Sequence, residues 1–148
     1  MFKFRKNYPK ILVFLQFMLM GFIVLSSKGF FLSIVSMTVF FFGAILGVWA
    51  LLHNKLGNFN IQPQMKEGAT LVTTGIYAFV RHPMYLSVLV MMFAFLMGSL
   101  GLMQIFLFLT LVVVLYLKAR REESLWMKEN AEYAKYKENT KLFLPFLL

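Results

Sequence analysis

The chain has 148 residues, 60% of them hydrophobic and 18% aromatic, with a mean hydropathy of +0.74. A soluble domain is ordinarily about 45–50% apolar, so a small globule could not cover this much apolar surface, and a single membrane domain over 1–148 is expected. The net charge of +9 comes from basic residues flanking apolar runs, which argues for a membrane face and against nucleic acid as partner.

Cysteine is absent, which removes disulfides and thiolate metal sites. All six acidic residues are Glu, so Asp-rich metal motifs are excluded and no metal is expected.

The first apolar run, Ile11–Leu25, is broken only by Gln16 and Gly21 and follows Lys3, Arg5, Lys6 and Lys10. Those charges suit a signal peptide, but no small-x-small cleavage site closes the run and a second run follows at once. A membrane span over 9–26 is therefore expected. The second run, Phe30–Leu52, is the longest; its Gly43 and Gly47 give a small-xxx-small face that lets helices approach closely. That face permits a dimer without requiring one, so the oligomeric state stays open. Met84–Met97 and Leu102–Leu117, joined by Gly98-Ser99-Leu100-Gly101, predict a tight helical hairpin with spans over 83–98 and 101–118. A bilayer core needs roughly 20 helical residues, so the shorter runs must borrow flanking residues. The expected fold is all-α: a polytopic membrane protein of about four helices, with a connector over 53–82 and an amphipathic tail over 119–148.

Charge sets the orientation. Four Lys or Arg precede the first run, the connector carries Lys55, Lys66 and Arg81, and seven lie from Lys118 onward, whereas the other two turns hold only Lys28. An even number of spans puts both termini, connector and tail on this basic side, which is expected to be the cytoplasm.

Within the connector, Gly57, Asn58, Asn60, Pro63 and Gly68 mark loop. Thr70–Val72 is a short β-like patch and Thr73-Thr74-Gly75 a turn. Pro83 suits the first position of a helix, with His82 just outside it. Helix N-termini attract carboxylates and phosphates, and Arg81 and His82 strengthen that pull. The plainer reading makes Arg81 a positive-inside anchor and Tyr77 and Tyr85 interfacial belt residues.

The segment TTGIYAFVRHPMY, residues 73–85, combines a Gly-x-Tyr turn with Arg-His-Pro-x-Tyr. Beyond the last span come Glu122-Glu123, then Tyr133 and Tyr136, then Leu144-Pro145. Together with ATLV and GNFN upstream, this paired pattern resembles the isoprenylcysteine carboxyl methyltransferase family, which includes phospholipid methyltransferase-like members. The resemblance implies an integral membrane enzyme using S-adenosylmethionine and releasing S-adenosylhomocysteine. It implies a cofactor pocket lined by Ala69, Thr70, Leu71, Val72, Tyr77 and the His82-Pro83-Met84-Tyr85 run, with a family glutamine falling on Gln62 or Gln64. Ser87 stands where the family usually has glycine. The family's catalytic arginine lies one helical turn before the functional Glu, a place held here by Lys118, with Arg121 nearby.

For a methyl donor that is cationic at sulfur and zwitterionic at its methionine end, Glu122 or Glu123 suits the ammonium group, and His82 with the helix N-terminus suits the carboxylate. A carboxylate acceptor needs no base, and Lys118 or Arg121 would orient it. An amine or thiol acceptor must lose a proton to a glutamate or His82. The acceptor is expected to be lipophilic and to arrive from the bilayer. A small transporter fits poorly, because no acidic, basic or histidine side chain interrupts the runs. Two rivals to a methyltransferase keep some support: a reductase using a nicotinamide cofactor, and a non-catalytic relative with the same fold.

Overall fold

The computed structural model describes residues 2–54 and 70–144, with side chains from residue 7 onward. Among them every long element is helical: α1 (Phe2–Ser26), α2 (Ile34–His53), α3 (Pro83–Gly98), α4 (Leu102–Glu129) and α5 (Tyr133–Asn139). Gln62, Gln64 and Ala69, the GNFN segment and Pro145 lie outside the described residues.

Three of the expected boundaries move. α1 runs through Pro9 rather than starting beside it, so the proline sits inside the helix. α2 starts at Ile34, because Phe30–Leu32 forms a short 3-10 turn and Ser33 takes the N-cap, its Oγ accepting from Ser36 N at 3.2 Å. Such a cap is worth about 1 kcal/mol. Most consequential, α4 does not stop at Lys118 but continues unbroken to Glu129. Its 28 residues span about 42 Å, so the same rod that fills an apolar core and buries Lys118 carries Arg121, Glu122 and Glu123 onward.

Helices α1, α2 and α4 are long and apolar enough to cross a membrane, whereas α3 is a shorter apolar helix of 16 residues. Outward-facing Phe14, Phe17, Phe42, Ile45 and Phe106 are exposed, as lipid-facing residues are. Although α3 and α4 are consecutive, their main partners differ: α3 lies along α2, and α4 along α1. The α2–α3 contact uses the small residues. A Cβ at Gly43 would stand 2.9 Å from Met91 Cγ, and one at Gly47 2.5 Å from Ser87 Oγ. Ser87 Oγ donates to Gly43 O at 2.9 Å, so this serine ties the two helices together. The glycine face is thus filled from within the chain.

At the end away from the connector, the two turns interlock. Ser27 Oγ donates to Phe95 O at 2.7 Å, Gly29 N donates to Ser99 Oγ at 3.1 Å, and Phe30 stacks on Phe95 at 4.1 Å between ring centroids. At the connector end, Thr70–Val72 forms no strand. The chain instead pairs further on, where Val80 bridges Lys141 in parallel. Lys141 N donates to Phe79 O at 3.1 Å, Arg81 N to Lys141 O at 2.8 Å and His82 N to Leu142 O at 3.1 Å. Backbone bonds therefore seat the tail on the connector.

Candidate active site

Gly75 starts the construction. Its φ of +61° lies in the left-handed region that glycine adopts without penalty, and a Cβ there would run into the His53 ring. This turn launches the 3-10 segment Gly75–Ala78, which buries Ile76 and Tyr77 against Ala50 and Val80. Met84 and Val72 pack against the same cluster. Tyr136 Oη from α5 donates to Tyr77 O at 2.7 Å. Burial, followed by the nearby Glu122 charge, pushes the Tyr77 phenol up to about 12, so it stays a neutral donor beside that carboxylate.

Next come Arg81 and His82, which share Glu123 Oε1, 2.5 Å from Arg81 Nε and 3.9 Å from His82 Nε2, but differ in their nearest carboxylate. The Arg81 side chain is 8% exposed. Its Nε donates to Glu123 Oε1 at 2.5 Å, and its Nη1 donates to Lys137 O at 3.1 Å and to Thr140 O. Glu123, fully buried, also meets Lys137 Nζ at 2.9 Å and Arg120 at 3.5 Å. Burial alone would raise the Glu123 carboxyl. Hydrogen bonds from Lys137 and Arg81, with the Arg81 and His82 charges, outweigh it and hold the group below its ordinary range. This cluster is a staple between connector and tail, and it consumes Arg81.

His82 stacks on Tyr85, with centroids 5.4 Å apart and planes 3° from parallel, and Phe143 stands edge-on to both rings. Glu122 Oε2 lies 3.4 Å from His82 Nδ1, and Glu122 Oε1 accepts from Tyr85 Oη. Lys118 Nζ sits 5.0 Å above the Tyr85 ring. The motif in the connector and the motif on α4 therefore meet at one place, built from His82, Tyr85, Glu122 and Lys118, with Tyr77 alongside.

The other predicted residues fall elsewhere. Arg121 turns to α1, its guanidinium 5.7 Å from the Tyr8 ring centroid and its Nε buried without a hydrogen-bond partner. Pro83 is buried as the first residue of α3. Thr70 is exposed and Leu71 half-buried on the approach to the Gly75 turn. Three contributors have no place in the sequence pattern of the site: Gln16, Phe143 and Thr140. Gln16 carried a signal, being one of only two interruptions in the first apolar run.

The donor set fits a zwitterionic sulfonium nucleotide at both ends. His82 is 9% exposed, and among the described residues its Nε2 makes no hydrogen bond, the Glu123 carboxylate standing 3.9 Å away. Glu122 keeps 22% of its side chain exposed and suits an ammonium group. The α3 N-terminus contributes less than the sequence suggests: Pro83 has no N–H, and the N–H groups of Tyr85 and Leu86 both return to His82 O at 3.1 Å.

A bundle of apolar helices with a charged, aromatic-walled site at the connector end defines a membrane protein with its polar chemistry at one end of the bundle. The chain belongs to the isoprenylcysteine carboxyl methyltransferase (ICMT) family, whose sequence pattern matches residues 34–128. The matched range holds α2, α3, the connector and α4 almost to its end; α1 and α5 lie outside it. A comparison with curated proteins finds no match.

Proposed function

We propose that the protein is an integral membrane methyltransferase that moves a methyl group from S-adenosylmethionine to a lipophilic acceptor. The observation that carries this reading is the 3.4 Å approach of Glu122 to His82, because it joins the family's two separate motifs in one site. When bound, S-adenosylmethionine supplies a methyl group on a cationic sulfur, open to in-line displacement, so the protein's work is positioning and electrostatics.

In this reading Glu122 binds the donor's ammonium group, His82 Nε2 donates to its carboxylate, and Tyr77, Tyr85 and Phe143 wall the site. Lys118, deep in the bundle beside Tyr85, faces the acceptor and orients its polar group. A carboxylate acceptor meets the cation directly and needs no base. Arg81 and Glu123 hold the connector and tail in register and act as positioning residues. Helix α3 completes four crossings as one domain, with both termini and the site on the cytoplasmic side, where the Lys and Arg residues concentrate.

Calorimetric titration of the purified protein with S-adenosylhomocysteine and with NADPH tests this. Micromolar binding of the former, lost in Glu122→Gln and His82→Ala, is expected. Binding of NADPH alone would overturn the reading in favour of a reductase, and binding of neither in favour of a non-catalytic relative.

A further inference from the structure

Among the described residues, Gln16 is the one polar side chain deep in α1 at this end of the bundle, 7% exposed. Its Oε1 accepts from Lys118 Nζ at 2.5 Å. Lysine only donates, so this contact fixes which way the amide points, and its nitrogen is left with Met20 Sδ at 3.9 Å, a weak partner. Lys118 is itself 2% exposed and, among the described residues, takes part in no ion pair. A four-carbon stem with a point charge has many rotamers. Here two things restrict it, the Gln16 oxygen and the Tyr85 ring face 5.0 Å away. Tyr85 in turn donates to Glu122, one helical turn past Lys118. A continuous line of contacts therefore runs from Gln16 through Lys118 and Tyr85 to Glu122 and His82. It begins on α1, outside the residues that the family pattern covers.

We propose that Gln16 is a positioning residue for methyl transfer, acting through Lys118: its amide oxygen fixes the lysine ammonium over the Tyr85 ring, at the height where an acceptor from the bilayer meets the site. This rests on the methyltransferase reading above. A carboxylate in place of Gln16 would pair with the ammonium and cancel its charge toward an incoming group. The neutral amide holds the ammonium and leaves that charge in place.

Two measurements test it. In protein labelled with 15N-lysine and held in detergent micelles, Lys118 should give a slowly exchanging Nζ–H3+ signal, assigned by its loss in Lys118→Met. That signal should persist in Gln16→Glu and vanish in Gln16→Leu. Its absence from the wild type, or its survival in Gln16→Leu, overturns the contact. Separately, membranes carrying each variant are incubated with methyl-labelled S-adenosylmethionine, and label extractable into organic solvent is counted against a Glu122→Gln background. Gln16→Leu should lower transfer roughly tenfold or more, the scale of one charge-assisted hydrogen bond, with S-adenosylhomocysteine affinity unchanged. Placed in a Lys118→Met background it should add nothing, because both changes break one contact. Additive losses, or undiminished transfer in Gln16→Leu, overturn the positioning role. A wild type that fails to bind S-adenosylhomocysteine sinks the methyltransferase reading instead, and the lysine signal still decides the contact.

Discussion

Glu123 Oε1 lies 2.5 Å from Arg81 Nε, while Glu122, its neighbour in the chain, turns to His82 and Tyr85. Adjacent positions on a helix differ by about 100° in direction, so their main partners differ, with His82 between them: its Nδ1 lies 3.4 Å from Glu122 Oε2 and its Nε2 3.9 Å from Glu123 Oε1. One carboxylate closes the structure and the other faces the site.

The first prediction separates them. Glu123→Gln leaves the Arg81 charge buried without its partner, and removing half of a buried ion pair costs about 3–5 kcal/mol. Thermal unfolding in detergent should show a large loss of stability for Glu123→Gln and little for Glu122→Gln. Binding of S-adenosylhomocysteine by calorimetry should fall at least tenfold in Glu122→Gln at temperatures where the fold is intact. Equal stability losses in the two variants would contradict this division.

Acid should act through the same staple. The Glu123 carboxyl sits below its ordinary value of 4.5 in the folded protein. The unfolded chain therefore takes up this proton first as pH falls, so the stability the group contributes is complete above pH 4.5 and drains away as pH drops from there toward the folded value. Melting temperature followed from neutral pH to about pH 3 should decline in this window, and the decline should be shallower in Glu123→Gln.

At Gly75, alanine meets two obstacles, the positive φ and the His53 ring. Left-handed backbone at a non-glycine residue costs of order 1–3 kcal/mol. Relief requires the turn to move, and Tyr77 moves with it. Gly75→Ala should lower both the melting temperature and S-adenosylhomocysteine affinity, whereas His53→Ala combined with Gly75→Ala should recover part of the loss by removing the obstructing ring.

Gly47→Val tests the glycine face. Forcing extra atoms against Ser87 should cost about 1–3 kcal/mol, as overpacked cores do. Because α3 already fills this face, light scattering of the detergent-solubilised protein should return the same mass for variant and wild type. A change in mass would place the face at an interface between copies.

Much of this is legible in the sequence because the signals are local. Apolar run length places the helices, Pro83 marks the start of α3, and the two motifs bring forward His82 and the Glu122-Glu123 pair without choosing between the glutamates. The three-dimensional side of the same residues is not local. That Arg81 is consumed by Glu123 depends on which face of α4 turns inward, and the unbroken α4 erases the boundary that a polar tail implies. Lys118 reads as a residue that would orient the acceptor, but nothing local shows that Gln16, 102 positions earlier, lies beside it. Backbone pairing of Val80 with Lys141 leaves no periodic trace at all, since one bridge has no alternation to read.

That single bridge also fixes an order of events. The Arg81 side chain enters the growing polypeptide with none of its partners yet made, and Thr140 is the last of them to be synthesised. Three further helices, α3, α4 and α5, are made before the last of them. Closure of the connector end therefore waits on the last part of the chain, because the Thr140 and Lys141 carbonyls that seat Arg81 come after every helix.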